Sequence, residues 1–235
     1  MFKHLQYFLF HFLLILINIS TLIVAIFNKK YGFIIYNKCT KLVYNLFFKI
    51  NIINEEYYLK IFFLNRFIYC PNYQSIDIYM QILNIYKNSN KECIAVVKQT
   101  SIFLPILGQI WYLLDYIFVD RSKKMNTTDY VSEFLIKNKN YSIGIFPEGT
   151  RQYNCKFNKD IIKTGPFVIS KKTNIPILPI YHNIGKAIND KKFTIKFGET
   201  INILIGEPMY PDEYETIEKY KDEYIKQMLE LEKQF

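Results

Sequence analysis

Two charges of opposite sign flank a glycine in Phe146-Pro147-Glu148-Gly149-Thr150-Arg151. Such a grouping suits the gripping of a phosphate. Gly149 has no Cβ and lets an anion approach backbone N–H groups, while Arg151 offers a planar fork that matches phosphate oxygens. Thr150 lies between them, and Glu148 is expected either to accept from a substrate hydroxyl or to hold Arg151 in place. The competing use of these six residues is a proline-terminated surface turn with an incidental ion pair.

The elements around them decide between the two. Tyr141 to Phe146 is rich in β-branched and aromatic residues, and the Pro and Gly that follow cannot continue a central strand. The charged residues therefore sit at a strand's carboxyl end, which is where ligands bind in α/β sheets. Before them, Arg66–Cys70, Cys93–Val97 and Tyr116–Val119 read as strands, Thr128–Lys137 as a helix, and Ile102–Leu114 as a helix that Pro105 starts late or kinks. After them come a helix over Ile161–Lys172 and a strand over Pro176–Tyr181. Phe193–Phe197 and Ile201–Ile205, joined by Gly198-Glu199-Thr200, read as a hairpin. This alternation predicts an α/β fold with a largely parallel central sheet and helices on its faces.

Three further blocks stand in an order that carries more information than any one of them. Tyr116-Ile117-Phe118-Val119-Asp120-Arg121, Lys163-Thr164-Gly165-Pro166-Phe167 and Ile175-Pro176-Ile177-Leu178-Pro179 bracket Phe146–Arg151 in sequence. With FPEGTR they resemble the motifs of the glycerolipid acyltransferase family, which includes lysophosphatidic acid acyltransferases, over roughly residues 65 to 210. Asp115 stands where the second motif usually has glycine. The resemblance implies acyl transfer from an acyl thioester, either acyl-CoA or an acyl-carrier protein, to a lysophospholipid or glycerol phosphate. It assigns the phosphate to Arg121 and Arg151, with Lys163 as a further phosphate candidate. The glycerol goes to Glu148 and Gly149, and the acyl side to the Pro176 segment. It calls for no cofactor and no metal.

The family's first motif carries a histidine five residues before an aspartate, the histidine as general base on the acceptor hydroxyl and the aspartate orienting its imidazole, a role that the resemblance gives to Asp77. Here the stretch is Pro71-Asn72-Tyr73-Gln74-Ser75-Ile76-Asp77. Spacing to Asp77 puts Asn72 in the histidine's place, whereas the Asn-x-Gln-Ser wording puts Tyr73 there. Neither side chain is a competent base near pH 7: an Asn amide has no useful basicity, and Tyr with a reference pKa of ~10 is mostly protonated. An alternative function is accordingly a catalytically inactive lipid-binding relative. Of the three histidines, His4 and His11 belong to the apolar amino terminus, and His182 follows the Pro176 strand, where it either faces the site or is a hydrogen-bonded strand-end residue.

The rest of the chain bears on location. Among 235 residues, half are hydrophobic, 20 are Tyr and 20 Phe, and the net charge is +9. Residues 212–235 are acidic on balance, so the remainder is still more basic and favours anionic surfaces. With no nucleic-acid motif, acidic lipid is the expected partner rather than nucleic acid. From Leu5 to Phe27 no residue is formally charged, a stretch long enough to cross ~30 Å of hydrocarbon, and it is expected as a transmembrane helix, with a re-entrant or interfacial helix as the alternative. The lysines after it (Lys29, Lys30, Lys38, Lys41) predict a domain on the cytosolic face of a membrane, of endoplasmic reticulum type in a eukaryote. The sequons at Asn126 and Asn140 do not oppose this, because a glycan on Asn140 would crowd the strand into FPEGTR. Residues 33–53 read as a helix lying in a headgroup layer or packed on the core. Cys39, Cys70, Cys93 and Cys155 lack metal-ligand spacing and are expected as reduced thiols. The expected organisation is an anchor and amphipathic segment over 1–53, an acyltransferase-like domain over 54–211 and a charged helix over 212–235.

Overall fold

A computed structural model describes residues 2–53, 66–74, 92–120, 126–153 and 156–234. The chain opens with two helices, α1 (Phe2–Phe27) and α2 (Lys29–Phe47), turned back on each other at Asn28, whose side chain caps α2 by accepting from Tyr31 N–H. Gly32 allows the close approach, since a Cβ there would come within 2.6 Å of the Ala25 Cβ. α1 also touches the short helix α3 (Leu107–Leu113).

The main sheet has the order β1-β9-β6-β2-β5-β3-β4. Its strands are β1 (Lys49–Ile53), β2 (Ile68–Pro71), β3 (Glu92–Lys98), β4 (Ile117–Val119), β5 (Tyr141–Gly144), β6 (Ile177–His182) and β9 (Thr200–Ile205). β2 to β6 are mutually parallel, and β9 and β1 run the other way beside β6. The parallel core is therefore as the alternating pattern predicts. α4 (Thr127–Lys137), α5 (Gly165–Thr173) and α7 (Ile217–Glu232) pack on one another and over β2 and β6. A short helix α6 (Ile184–Ala187) leads into a small hairpin of β7 (Ile188–Asn189) and β8 (Thr194–Ile195).

Three expectations change. The hairpin of Phe193–Phe197 with Ile201–Ile205 does not form, although Gly198 does turn the chain at φ +75°. Thr194–Ile195 instead pairs with β7, and β9 enters the main sheet, where Ile201, Ile203, Leu204 and Ile205 are all buried. A local hairpin leaves one strand face wet, so burial between two strands of a larger sheet wins.

The second change concerns residues 33–53, which are not one helix. The β-branched run Ile50, Ile52, Ile53 leaves α2 and pairs in parallel with β9, so the main sheet begins before residue 54.

Third, the acidic 212–235 segment is no separate appendage. Its helix α7 buries Tyr220, Tyr224, Met228 and Leu231 along one stripe, and Tyr224 donates to the Cys70 carbonyl (3.1 Å). The same continuous core takes in Phe10 of α1 and Tyr44 of α2. Of the two alternatives for Ile102–Leu114, the helix starts late, at Leu107, because Pro105 and an Ile106 at φ +66° interrupt it.

Candidate active site at the carboxyl edge of the sheet

β2 connects to β3 past β5, and β5 connects to β6 past β2, so the chain leaves these two neighbours in opposite directions. Their carboxyl ends flank a topological switch point, where open α/β sheets form a crevice. The residues that follow each strand border it.

After β5, Pro147 supplies the fixed φ a turn needs, and Gly149 N–H returns to the Phe146 carbonyl (3.0 Å) with Gly149 at φ +67°. A left-handed position of this kind is costly for any residue with a Cβ. The turn is held from outside by Lys163 N–H, which donates to the Pro147 carbonyl (2.9 Å). Asp115 shows the same logic elsewhere: it takes φ +59° where the second motif usually has glycine, and Asp is among the few other residues that tolerate it. Its carboxylate accepts from Lys29 and from the Tyr141 hydroxyl (2.6 Å).

After β2, Asn72 and Tyr73 part company. Asn72 is buried, its amide donating to the His182 carbonyl (2.9 Å) and accepting from the His182 N–H (2.9 Å). It extends the β2–β6 ladder and is committed there. Tyr73 stacks on Phe146 with ring centroids 4.1 Å apart and lines a cavity of about 300 Å³. Its carbonyl accepts from Gln152 N–H (2.6 Å), which fixes Arg151's neighbour beside it.

Of the two uses expected of Glu148, holding Arg151 is not the one found, since Arg151 pairs elsewhere. Glu148 is buried, and its two oxygens accept from the backbone N–H groups of Tyr73 and Asn158. A carboxylate taken out of water needs donors, and the two loops supply them. Burial pushes its pKa up to about 7, against the pull of those two donors; Glu232 nearby adds to the rise. Glu148 is thus a tie between the loops after β2 and β5, and both of its oxygens are engaged in that role.

Arg151 pairs with Asp190 of the β7–β8 turn, Nη1 to Oδ2 at 3.6 Å, and its guanidinium carbon lies 5.5 Å from the Tyr153 ring. Thr150 is exposed, and its carbonyl accepts from the Gln152 side chain (3.2 Å). Lys163 is exposed on the same edge. Pro176 is not part of this group. It precedes β6, with its carbonyl accepting from Ile68 N–H at the start of β2, so it lies at the opposite end of the parallel sheet. Asp77 and Arg121 fall outside the described residues.

The cavity is walled by Tyr36 of α2, Ala95 to Lys98 at the end of β3, Ser101, Trp111, Tyr116, Ile145, Phe146, Tyr73 and Gly149. Sequence reasoning missed Lys98, which the strand-end rule applied to FPEGTR would have found directly after Cys93–Val97. It also missed Asp190, for which no local signal exists. A second concavity of about 540 Å³, bordered by Gln99, Tyr112, Phe118 and Phe134, contains none of the candidate residues.

No histidine reaches the cavity wall. His4 bonds the Phe193 carbonyl and His11 the Tyr7 carbonyl within α1. His182 is buried, its Nδ1 accepts from Ile184 N–H (3.4 Å), and burial pulls its pKa down to about 3. It is the hydrogen-bonded strand-end residue of the two alternatives.

The family model described as "Acyltransferase" matches residues 49–183. An uncharacterised acyltransferase of Schizosaccharomyces pombe is 28% identical over 146 residues, which is 61% of this chain and 52% of that protein. The 1-acyl-sn-glycerol-3-phosphate acyltransferase of Saccharomyces cerevisiae is 29% identical over 134 residues, 56% of this chain and 42% of the relative. The chain thus aligns with about half the length of these curated relatives. Among solved structures, the 1-acyl-sn-glycerophosphate (LPA) acyltransferase PlsC from Thermotoga maritima superimposes with a TM-score of 0.75 over 96% of this chain and 92% of that one, at 18% identity, which is a likeness of fold.

Proposed function

Because the chain belongs to the acyltransferase family over residues 49–183, we propose that it binds lysophosphatidate and an acyl thioester at the carboxyl edge of the sheet and transfers the acyl group between them at a membrane surface. One observation carries this reading: the cavity beside Tyr73 and Gly149 has Lys98 in its wall, and Arg151 follows Gly149 by two residues in the same loop, in a chain with relatives named for that acceptor. The glycerol would enter past Gly149, and the phosphate would meet Arg151, Lys98 and the exposed Lys163. The co-substrate is acyl-CoA or an acyl-carrier protein, and no resident cofactor or metal is invoked.

In the reaction the acceptor hydroxyl oxygen forms a bond to the thioester carbonyl carbon, the C–S bond breaks with its electron pair going to sulfur, and the thiolate leaves. The hydroxyl proton ends on that sulfur to give the free thiol, and a base is needed to carry it there. Neither Asn72, locked to the His182 backbone, nor the Tyr73 phenol is suited to take it, and His182 is buried and weakly basic. Turnover therefore rests on proximity and on charge complementarity, and it is slow compared with an enzyme that has an imidazole in place. The same observation favours a second reading, lipid binding without turnover.

Membrane association in this reading is in-plane. α1 is long and apolar enough to span, but Phe10 near its start packs on Tyr44, Phe47 and Phe48, and Ala25 near its end packs on Gly32. These contacts hold α1 to α2, and the His4 contact to the β7–β8 turn with the packing of α1 on α3 and β8 holds it along the domain. Its other stripe, with Leu5, Phe8, Leu9, Phe12, Ile15 and Ile19, is exposed and suits the acyl layer of one leaflet. The lysines following α1 support the cytosolic leaflet.

The test is an assay of the purified full chain in lipid vesicles with lysophosphatidate and acyl-CoA, following release of free thiol. Slow thiol release that depends on lysophosphatidate supports transfer. Lysophosphatidate binding with no thiol release supports the second reading, and no binding at all overturns both.

A further inference from the structure

Arg151 is placed by a residue outside all five sequence blocks. Asp190 sits in the turn between β7 and β8, its side chain only 8% exposed, with Oδ2 3.6 Å from Arg151 Nη1. Its other oxygen, Oδ1, accepts from the Tyr7 hydroxyl of α1 at 3.5 Å. The hairpin is itself pinned to α1: His4 bonds the Phe193 carbonyl, and the Tyr7 and Phe193 rings meet edge to face at 5.7 Å. The Tyr153 ring lies 5.5 Å from the guanidinium carbon.

We propose that Asp190 is a positioning residue for Arg151, holding the guanidinium in the orientation that receives the phosphate of the acceptor, and that α1 contributes to this through Tyr7. The proposal rests on the lysophosphatidate reading for its ligand.

The physical argument runs from burial and donor count. A nearly buried carboxylate is retained only when paired, so Asp190 is bound to keep a cation beside it. Arginine carries five N–H donors in a rigid fork on a flexible stem. Contact through Nη1 uses part of that fork, and the donors that remain suit two phosphate oxygens. Freezing the stem before the ligand arrives lowers the entropy cost of binding. Tyr7 lies on the helix whose apolar stripe is exposed, so the seating of α1 on the domain and the geometry of the phosphate contact are joined through one carboxylate.

The experiment measures lysophosphatidate binding to the purified full chain in detergent micelles by calorimetry. Asp190→Asn is expected to weaken binding roughly tenfold, Asp190→Glu to restore part of it, and Tyr7→Phe to cost a smaller factor of about two to three. In an Arg151→Ala background, Asp190→Asn should cost nothing further, because the residue it positions is gone. Binding by Asp190→Asn at the parent's level overturns the proposal, as does an undiminished loss in the Arg151→Ala background, which would mark a purely structural role. Phenylglyoxal modification of Arg151, followed by peptide mass, gives a readout free of the ligand. Faster modification in folded Asp190→Asn is expected, and an unchanged rate overturns the proposal. Failure of the parent to bind lysophosphatidate, together with faster modification in the variant, would discard the ligand and retain the positioning.

Discussion

Asn72 grips both backbone groups of His182 with one side-chain amide, N–H to Oδ1 and Nδ2 to carbonyl, each at 2.9 Å across 110 residues of sequence. This separates the two positions at which the first motif's histidine can be sought. Asn72 closes the ladder between β2 and β6, and Tyr73 is the one on the cavity wall.

Restoring a base should therefore depend on which position is chosen. Tyr73→His is expected to raise acyl transfer by one or more orders of magnitude, since general-base assistance is worth about 10²–10⁴-fold. Asn72→His is expected to raise nothing and to cost roughly 1–3 kcal/mol of stability by leaving buried backbone groups without partners. Thiol-release rates and denaturant midpoints measure both. A gain from Asn72→His with unchanged stability would reverse the assignment.

Arg151→Ala should weaken lysophosphatidate binding more than tenfold, because a charge-assisted hydrogen bond is worth about 1.5–3 kcal/mol. Arg151→Lys should recover only part, as an ammonium cannot form the bidentate contact. Calorimetry on the folded variants decides it, and parent-like affinity in both would leave FPEGTR a structural loop.

Glu148 makes a pH prediction with a sign opposite to that of a salt-bridged carboxylate. Burial raises its folded pKa to about 7 from an ordinary value of 4.5, so between these pH values the folded chain binds more proton than the unfolded one. Its contribution to stability is fully present below about pH 4.5, declines as pH rises through 7, and is flat above. The difference across this window is on the order of 3 kcal/mol. Glu148→Gln should be less stable at low pH and should lack this dependence, so the wild-type-minus-variant stability, from urea titrations at pH 5 and pH 8, shrinks with rising pH. A difference that stays constant would refute the assignment.

At Asp115 two effects oppose each other. Asp115→Ala keeps the left-handed φ with a less tolerant residue and loses the contacts to Lys29 and Tyr141, for a cost of roughly 1–2 kcal/mol. Asp115→Gly loses the same contacts but relaxes the backbone, and half-exposed ion pairs of this kind are worth about 0–1 kcal/mol, so it should be nearly neutral. Thermal unfolding of the two variants would show whether the order is reversed.

The exposed stripe of α1 can be tested without the active site. Leu9→Asp combined with Phe12→Asp should abolish flotation with anionic vesicles while leaving the fold intact, because both side chains are more than half or nearly half solvent-facing. Retained flotation would place the membrane contact elsewhere.

What the sequence determined by itself follows from short-range rules. Strand and helix alternation, the apolar length of α1, the position of FPEGTR at a strand's carboxyl end and the lack of an imidazole in the first motif are each contained in a few adjacent residues. The tertiary structure decided which side chain faces what. Asn72 and Tyr73 are neighbours in sequence, and only the placement of β6 beside β2 turns one into a ladder residue and the other into a wall. Glu148 was legible as important but not as a tie between Tyr73 and Asn158, and Pro176 was legible as a strand start but not as lying at the far end of the sheet. Asp190 carried no local sign at all. Such contacts join segments far apart along the chain, and their partners are set by strand order and by competition for burial, which a local pattern of residue types does not encode.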